Sequence, residues 1–478
     1  MYIEFVRCVN KFFYSPLYLI LLGILTFLSN AFSYELYVYT AFVLMGICIC
    51  LLARDLLPIF PIFIFAYISP SFKNNPGESD DTVFSLSGGG KYLYIMILAL
   101  VLCLILRIVF DKDFGGKKFL FKKRKLLSGM LILGTVYALS GLGSGQWEEF
   151  GWQNLLFAFI QFAAITLLYF LLSGGVKWES TPQNYLAWTG IFAGYTVAIE
   201  LVNIFIVNGV IVDGEIIRHS IVTGWGHYNS MGALLVTLIP IPFFLVVKGR
   251  FINLAYFSSI VFFLSLLLTC SRASILVGVV IYAVCYVASF FFSQRARRQF
   301  PIHIFMICFV MGLFYRHKEA VSALFDNIIL KGINSPERLE IYKEGINQFN
   351  SNRIFGGSFF PIDYKPYKWA RAKGFSSIAP PRWHNTVIQL LASGGIVSLV
   401  GYAVHRIQTF ILFFKRFSKE KFFLMMSVMA LLFVSLFDCH FFNVGPVFLY
   451  SVTLAFVEFL PKEENVIKKG KFTFRRTL

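Results

Sequence analysis

Apolar runs of about 17–25 residues recur along almost the whole chain, and no other feature constrains its fold as much. A run of this length, wound as a helix, crosses a bilayer core of roughly 30 Å. Of the 478 residues, 57% are hydrophobic and only 14% are charged, which is unlike the composition of soluble domains. Because a backbone in lipid must satisfy its own hydrogen bonds, these runs are predicted to be helices. The expected fold class is an all-α integral membrane protein.

We predict about 12–14 transmembrane helices. Two of the apolar runs, 56–70 and 301–315, are short, and we expect each to be either re-entrant or tightly packed. The first run has no small-residue cleavage pattern, so it is interpreted as a membrane helix and not as a targeting segment. The predicted spans are 16–33, 36–53, 56–70, 92–110, 126–143, 153–174, 185–207, 229–247, 252–270, 272–292, 301–315, 385–404, 422–437 and 444–460.

The distribution of lysine and arginine predicts the orientation. One side of the predicted topology collects the basic segments "KKFLFKKRK" (117–125), "RARR" (295–298), "KRFSKEK" (415–421) and the end of the chain. The short loops on the other side carry only Lys73, Lys91, Arg218 and Arg272. Because basic loops stay in the cytoplasm, both termini are predicted to be cytoplasmic. The net charge of +18 is therefore interpreted as membrane topology and contact with anionic lipid, and not as nucleic-acid binding.

The chain is predicted to have three parts: N-terminal transmembrane helices (1–210), a second membrane domain (211–460) and a basic cytoplasmic tail (461–478). The second part contains a long extracytoplasmic loop, 316–383, and loops of this length are usually functional. The loop carries one helix signal, "SPERLEIYKEGINQF", with Ser335 as N-cap and Pro336 at the first position. The spacing places Leu339, Tyr342, Ile346 and Phe349 on one face of this helix.

Three of the predicted helices that run inward from the outer side begin with polar signals. These are "GWGHYNSMG" (224–232), "TCSRAS" (269–274) and "RWHNT" (382–386). Free N–H groups and a partial positive charge at such helix starts favour anions. The candidate N-caps are Asn229, Ser271 and Asn385, and the accompanying basic or imidazole groups are His227, Arg272 and His384. Together these features predict an anion receptor at the outer face.

The individual candidates each leave two interpretations open. Arg272 is either an interfacial arginine that closes a helical hairpin or a ligand of a diphosphate, whose oxygens suit its planar fork of donors. Arg338 is either a solvated charge of the loop helix or a second anion ligand. His384 is either a lone interfacial histidine or a group that accepts a proton near neutral pH. Arg218, in the outer loop before the eighth span, is a weaker candidate.

The order of these motifs resembles that of the O-antigen ligase and O-antigen polymerase family of bacterial envelope proteins. The resemblance is carried by "TCSRAS" at the start of a span, "RLEIYKEGINQF" followed by "RIFGGSFF" in the loop, and then "HNTVIQLLASGGIVSLVGY". It extends over about residues 215–455 and includes "FDCHFFNVG" before the last span. The family usually has around twelve spans, and it tends to have a proline-asparagine pair where this chain has "GHYNSMG", which weakens any role of His227 and Asn229.

The resemblance implies a metal-independent, inverting glycosyltransferase without a cofactor. Its donor would be a glycan on a polyprenyl diphosphate such as undecaprenyl diphosphate, and its acceptor another glycan. Arg272 and Arg338 would hold the diphosphate, with Arg353 as the nearest competitor of Arg338. His384 would activate or position the acceptor hydroxyl. Arg218, Arg382 and Asn385 would assist substrate binding, and Trp383 would stack on a sugar.

The expected location is the cytoplasmic (inner) membrane of a bacterium, with the active site outside the cytoplasm. Two alternatives remain: a flippase for the same lipid-linked glycans, and a protein O-oligosaccharyltransferase that uses the same donor. A flippase is expected to show two similar halves and a charged central cavity, and the sequence shows neither. Ligase and polymerase differ only in the acceptor, which is lipopolysaccharide for a ligase and a capsule or wall polysaccharide for one kind of polymerase.

Overall fold

The structure is a computed structural model, and it describes residues 2–32, 34–69, 90–110, 124–178, 184–207, 210–212, 215–216, 221–223, 226–316, 336–359 and 383–461. These segments are almost entirely helical, which confirms the predicted all-α membrane fold. Each of the predicted spans contains at least one helix. Four strands of two residues each form two small antiparallel hairpins ahead of the central helix of the molecule.

The elements are named in chain order. The helices of the first half are α1 (Tyr2–Phe13), α2 (Pro16–Phe32), α3 (Glu35–Leu52), α4 (Ile59–Ile68), α5 (Gly90–Phe110), α6 (Leu127–Ala138), α7 (Gly145–Gly175) and α8 (Tyr185–Val207). The strands are β1 (Ile211–Val212), β2 (Glu215–Ile216), β3 (Val222–Thr223) and β4 (Gly226–His227). The second half has α9 (Tyr228–Leu238), α10 (Phe243–Val247), α11 (Ile252–Leu268), α12 (Arg272–Phe292), α13 (Gln294–Arg316), α14 (Pro336–Ser351), α15 (Thr386–Lys415), α16 (Lys419–Val434), a 3₁₀ turn (His440–Phe442) and α17 (Val444–Phe459).

Seven helices of the described part are long and apolar enough to cross a membrane, or eight if the bent pair α1 and α2 is counted as one span. Shorter apolar helices are α4, α6, α11 and α17. Helix α4 has 10 residues and is therefore about 15 Å long, half the thickness of a bilayer core. Nearly all of its side chains are buried. The expectation that this run is tightly packed or re-entrant, and not a complete span, is consistent with that geometry.

The middle of the bundle is formed by α9, α16 and α17. Helix α9 and the short α10 that follows it are buried over almost their whole length, because α9 packs on α16 and α16 packs on α17. Pro240 and Pro242 separate α9 from α10, as expected for residues that lack a backbone donor. Helices that are apolar all round belong in such an interior. The central position of α9 brings its first turn beside the loop between α16 and α17.

Helix α15 is broken at two glycines, and the segment that follows α14 fills the break. Gly395 has φ 63° and ψ −161°, a conformation that favours glycine. The freed backbone groups of α15 pair with the segment 353–358, as in Gly357 N–H to the Ala392 carbonyl at 2.8 Å and Ile396 N–H to the Arg353 carbonyl at 2.9 Å. A Cβ on Gly395 would lie 2.3 Å from the Ile354 carbonyl oxygen. The motifs "RIFGGSFF" and "LASGGIVS" are therefore held together by backbone hydrogen bonds at the break in α15.

The loop helix α14 begins at Pro336, as predicted, but not all of its apolar face is buried. Leu339 and Ile346 are exposed, whereas Gly345 is buried. A Cβ on Gly345 would meet Ile388 at 2.7 Å and Trp383 at 3.2 Å. Because glycine allows this close approach to the start of α15, the helix turns toward α15 the face that also carries Arg338. The apolar face and the covered face of α14 therefore overlap but do not coincide.

Candidate active site

The starts of α9 and α15 meet at the loop between α16 and α17, and the start of α12 packs beside α9. Helix α15 is joined to this loop by a hydrogen bond from the Thr386 N–H to the Ser435 carbonyl at 2.9 Å. Helix α9 is joined to it by Asn229, whose Nδ2 donates to Asp438 Oδ2 at 3.2 Å. The start of α12 packs against α9, since a Cβ on Gly232 would lie 2.9 Å from the Ser271 Cβ. The fold therefore places the starts of α9 and α15 at this loop and the start of α12 beside α9, and the predicted anion receptor stays a prediction.

His384 stands immediately before α15, with an imidazole that is 35% exposed. Its backbone has φ 50°, a left-handed conformation that costs a side-chain-bearing residue roughly 1–2 kcal/mol. The Tyr342 hydroxyl donates to the His384 carbonyl at 3.2 Å, and the following residue caps α15. Residues held in such conformations cluster at functional sites, where the surrounding contacts fix them.

The imidazole of His384 pairs with a carboxylate from another element. Its Nδ1 lies 3.2 Å from Asp438 Oδ1. The same carboxylate accepts the Cys439 N–H at 2.7 Å, and Nε2 of His440 is 3.8 Å from Asp438 Oδ2. No described residue hydrogen-bonds Nε2 of His384. A carboxylate on Nδ1 orients the ring and leaves Nε2 as the nitrogen that can accept a proton.

Asp438 lies outside the helices, between α16 and α17, and its side chain is almost completely buried. Burial raises the pKa of its carboxyl, but the charge of His440 and the hydrogen bond from His384 outweigh burial and hold the pKa well below its usual range. A lowered pKa means that the ionised form contributes stability above the ordinary aspartate pKa, and that this contribution is lost only as pH falls through the lowered value. Asp438 is therefore a fixed negative charge at neutral and mildly acidic pH.

The loop helix brings a cation to the same place. Burial raises the pKa of the Tyr342 phenol, the positive charge of Arg338 lowers it, and the carboxylate of Asp438 raises it further. Arg338 lies one turn before Tyr342 on α14, so the two side chains share a helix face. Arg338 is partly buried on this face, which turns toward α15. Arg338 is therefore one helical turn from the residue whose hydroxyl bonds the His384 carbonyl.

Arg272 is the first residue of α12 and is partly buried. The residue two positions before it, Cys270, has φ 52°, which turns the chain sharply out of α11 and into α12. Ser271 is the N-cap by backbone position, but its hydroxyl bonds Ser274 Oγ at 2.9 Å and no backbone N–H. The side chain of Ser271 therefore does not cap the first turn of α12.

Other sequence candidates have different surroundings. Asn385 is the N-cap of α15 as predicted, since its Oδ1 accepts from the N–H groups of Val387 and Ile388. Its Nδ2 donates to the Leu436 carbonyl at 2.7 Å, so both ends of the amide hold the backbone, and the predicted role in substrate binding stays a prediction. Trp383 is 1% exposed, and its buried ring offers no face to a sugar. Asn229 was wrongly predicted as an N-cap, because α9 already begins at Tyr228.

Two predicted site residues, Arg218 and Arg382, lie outside the described residues. Arg353, the competitor of Arg338, is exposed, and its carbonyl pairs with the break in α15. Arg353 thus lies where the segment after α14 pairs with the break in α15. Of the two arginines, only Arg338 is on the helix that also bonds His384.

Asp438 and Tyr342 were not predicted as site residues. A signal was present for the first: "FDCHFF" places a carboxylate and a histidine in a short loop, which the predicted topology puts outside, of a chain that has few acidic residues. An ionisable group near the membrane is costly without a partner. His384, which the same topology places outside, could therefore be expected to have an acidic residue as its partner. Tyr342 carried no such signal, because a tyrosine on an apolar helix face is ordinarily a packing residue.

Residues 257–403 match the family model Wzy_C, which is described as O-Antigen ligase. The matched range begins in α11, contains α12 to α14 and ends within α15, so it includes Arg272, Arg338 and His384 and stops short of Asp438. No curated protein matches the chain. The match covers "TCSRAS", "RLEIYKEGINQF", "RIFGGSFF" and "HNTVIQLLASGGIVSLVGY", but not "FDCHFFNVG". The resemblance of this chain to the O-antigen ligase family is thereby confirmed over residues 257–403.

Proposed function

We propose that this protein transfers a glycan from a polyprenyl-diphosphate carrier to an acceptor glycan at the outer face of the cytoplasmic membrane of a bacterium. The observation that carries the proposal is the pair formed by His384 Nδ1 and Asp438 Oδ1 at 3.2 Å. The pair stands at the mouth of a membrane helix, where a donor held in the bilayer meets an acceptor that arrives from water. The family match supports membrane glycosyl transfer of the O-antigen ligase type.

In the proposed reaction His384 is the general base. The acceptor hydroxyl oxygen attacks the anomeric carbon and forms the new glycosidic bond, and its proton passes to Nε2 of His384. The bond between the anomeric carbon and the diphosphate oxygen breaks, and the polyprenyl diphosphate leaves with that electron pair. A single displacement of this kind inverts the anomeric carbon. Asp438 stabilises the imidazolium that forms, and a base of this type contributes about 10²–10⁴-fold to a rate.

Arg272 and Arg338 are proposed to bind the departing diphosphate. Negative charge builds on the leaving group, and fixed donors stabilise it without reorganisation. The partial positive charge at the start of α12 adds to the field at Arg272. These two cations supply the charge that a metal ion supplies in other transferases, so the proposed reaction is metal-independent. Arg218, Arg382 and Asn385 remain proposed substrate contacts.

A gel assay of the purified protein in liposomes tests the proposal. The substrate is a polyprenyl-diphosphate oligosaccharide, supplied with and without an acceptor glycan. We expect a product ladder for a polymerase, or one acceptor-dependent shift for a ligase, and no product from His384→Ala. A shift of an acceptor protein instead would identify an oligosaccharyltransferase. Movement of the labelled glycolipid between leaflets without any new glycosidic bond would overturn the proposal in favour of a flippase.

A further inference from the structure

A buried arginine in the inner half of α15 is surrounded by aromatic rings. Arg406 is 7% exposed, and its guanidinium carbon lies 4.4 Å from the ring centroid of Tyr402, 4.2 Å from that of Phe441 and 4.9 Å from that of Tyr450. Its Nη1 donates to the Tyr450 hydroxyl at 2.5 Å. In the described part of the chain no carboxylate pairs with it. A buried cation without an anionic partner is costly, so its position calls for a reason.

The cage formed by Arg406, Tyr402 and Tyr450 holds one ring of the site loop. Phe441 is fully buried, and its ring packs edge-on against Tyr402 at 5.4 Å and against Tyr450 at 5.6 Å between centroids. A cation over ring faces is attracted strongly where water is excluded. Phe441 therefore has charge–ring and ring–ring contacts that fix its place between α15 and α17.

Phe441 belongs to the short turn that also carries the carboxylate of the site. The 3₁₀ turn covers His440–Phe442, directly after Asp438 and Cys439. On its other side the turn contacts the site, since His440 Nε2 is 3.8 Å from Asp438 Oδ2. Because only Cys439 and His440 separate Asp438 from Phe441, a movement of Phe441 would also displace Asp438. The cage contacts one side of this turn, and the site contacts the other.

We propose that Arg406 is a positioning residue, which by holding Phe441 fixes the turn that presents Asp438 to His384. This inference rests on the proposed function of the site and extends it to a group that touches no substrate. An apolar residue at position 406 fills the same space but attracts no ring by charge. The cation accordingly determines the placement of the turn, and its effect appears in turnover more than in substrate binding.

The first test compares Arg406→Met with Arg406→Lys in the glycan-transfer assay. Because a misplacement of about 1 Å costs up to roughly 100-fold, we expect Arg406→Met to lower kcat about 10- to 100-fold with little change in KM. Lysine keeps a cation over the rings and is expected to restore most of the loss. The matched control is Arg416→Met, which removes an arginine that donates to the Glu458 carbonyl at the far end of α15. An unchanged kcat in folded Arg406→Met overturns the proposal.

A double-variant cycle tests whether Arg406 acts through Asp438. In the Asp438→Asn background, Arg406→Met is expected to cause almost no further loss of kcat, because contacts that act as a unit are not additive. A full additional loss would show that Arg406 acts elsewhere, and would overturn the positioning role. If Arg406→Met does not fold, Phe441→Leu replaces it, because the smaller side chain also loosens the turn. The same loss of kcat is then expected, and again almost no further loss in the Asp438→Asn background.

A readout without catalysis separates this inference from the proposed function. Carbethoxylation of His384 by diethyl pyrocarbonate, followed by mass spectrometry, reports the environment of its imidazole. Arg406→Met is expected to change the modification rate in the same direction and to a similar extent as Asp438→Asn, while Arg416→Met leaves it unchanged. A modification rate in Arg406→Met equal to that of the parent protein overturns the inference. If the parent protein forms no glycan product, the proposed function fails, but the modification rate of His384 still tests the inference.

Discussion

Two buried carboxylates lie near the two ends of α17, and they have opposite surroundings. The proposed topology places Glu458 at the inner end of the helix and Asp438 on its outer approach. Glu458 is fully buried; its Oε1 accepts the Lys125 N–H at 2.7 Å and its Oε2 the Tyr169 hydroxyl at 2.6 Å. Asp438 is bound by Asn229 and by an imidazole that reaches the surface. The inner carboxylate caps the start of α6 from another helix, and its partners are backbone N–H groups and a phenol.

This contrast shows how the partner of a buried charge determines its use. Backbone N–H groups and a phenol satisfy Glu458 in a closed arrangement that joins α6, α7 and α17, which is a structural task. Asp438 is satisfied in part by His384, whose other nitrogen has no partner among the described residues. A group that accepts a proton from outside needs such an open position. The same residue class therefore supports the bundle at one end and a reaction at the other.

The largest effect is expected at His384. Replacing it by alanine removes the proposed base, and turnover should fall about 10²–10⁴-fold. His384→Asn is the matched variant, because asparagine tolerates the left-handed backbone at this position but cannot serve as the base. Rates from the gel assay and melting temperatures check both variants. Turnover within threefold of the unmodified protein in His384→Asn would contradict the assignment.

The outer carboxylate should have the next largest effect. Asp438→Asn keeps the shape but removes the charge that stabilises the imidazolium, and we expect turnover to fall about 10²-fold with little change in KM. Asp438→Glu serves as the control that restores the charge. A change in KM alone would place Asp438 in substrate binding and not in support of His384. Stopped-time assays at several donor concentrations separate the two outcomes.

A smaller effect is expected for the cation at the start of α12. Arg272→Lys keeps the charge but loses the two-pronged geometry that suits a diphosphate, so kcat/KM for the donor should fall about tenfold. The control is Arg250→Lys, which changes an exposed arginine. Equal rates for Arg272→Lys and the control would remove Arg272 from the site.

The inner carboxylate should have no effect on turnover. Glu458→Gln cannot accept two backbone N–H groups and a phenol as a carboxylate does, so the protein should lose about 1–3 kcal/mol of stability. The rate per folded molecule should stay the same. A melting curve and a rate corrected for the folded fraction give both numbers. A lower corrected rate would mean that the two ends of α17 are coupled. It would contradict the claim that Glu458 has only a structural task.

The sequence predicted the helices well, because their signal is the length and polarity of each apolar run. It also predicted the helix starts at 271 and 385 and the grouping of His384 with a loop helix. It did not show which face of α14 is covered, since an apolar pattern does not reveal that Gly345 allows a close approach to α15. The break of α15 at Gly395 was not expected, because a glycine pair inside an apolar run is compatible with a continuous helix. The partner of His384 was missed for a different reason: it comes from an element far along the chain.

The central claim is that His384 and Asp438 act as one unit, and a double-variant rate measurement tests it most directly. Turnover would be measured for His384→Ala, Asp438→Asn and the double variant in the same liposome assay. If Asp438 acts only through the imidazole, the double variant is as slow as His384→Ala and no slower. A double variant slowed by the product of the two separate losses would show that the groups act independently, and would contradict the account.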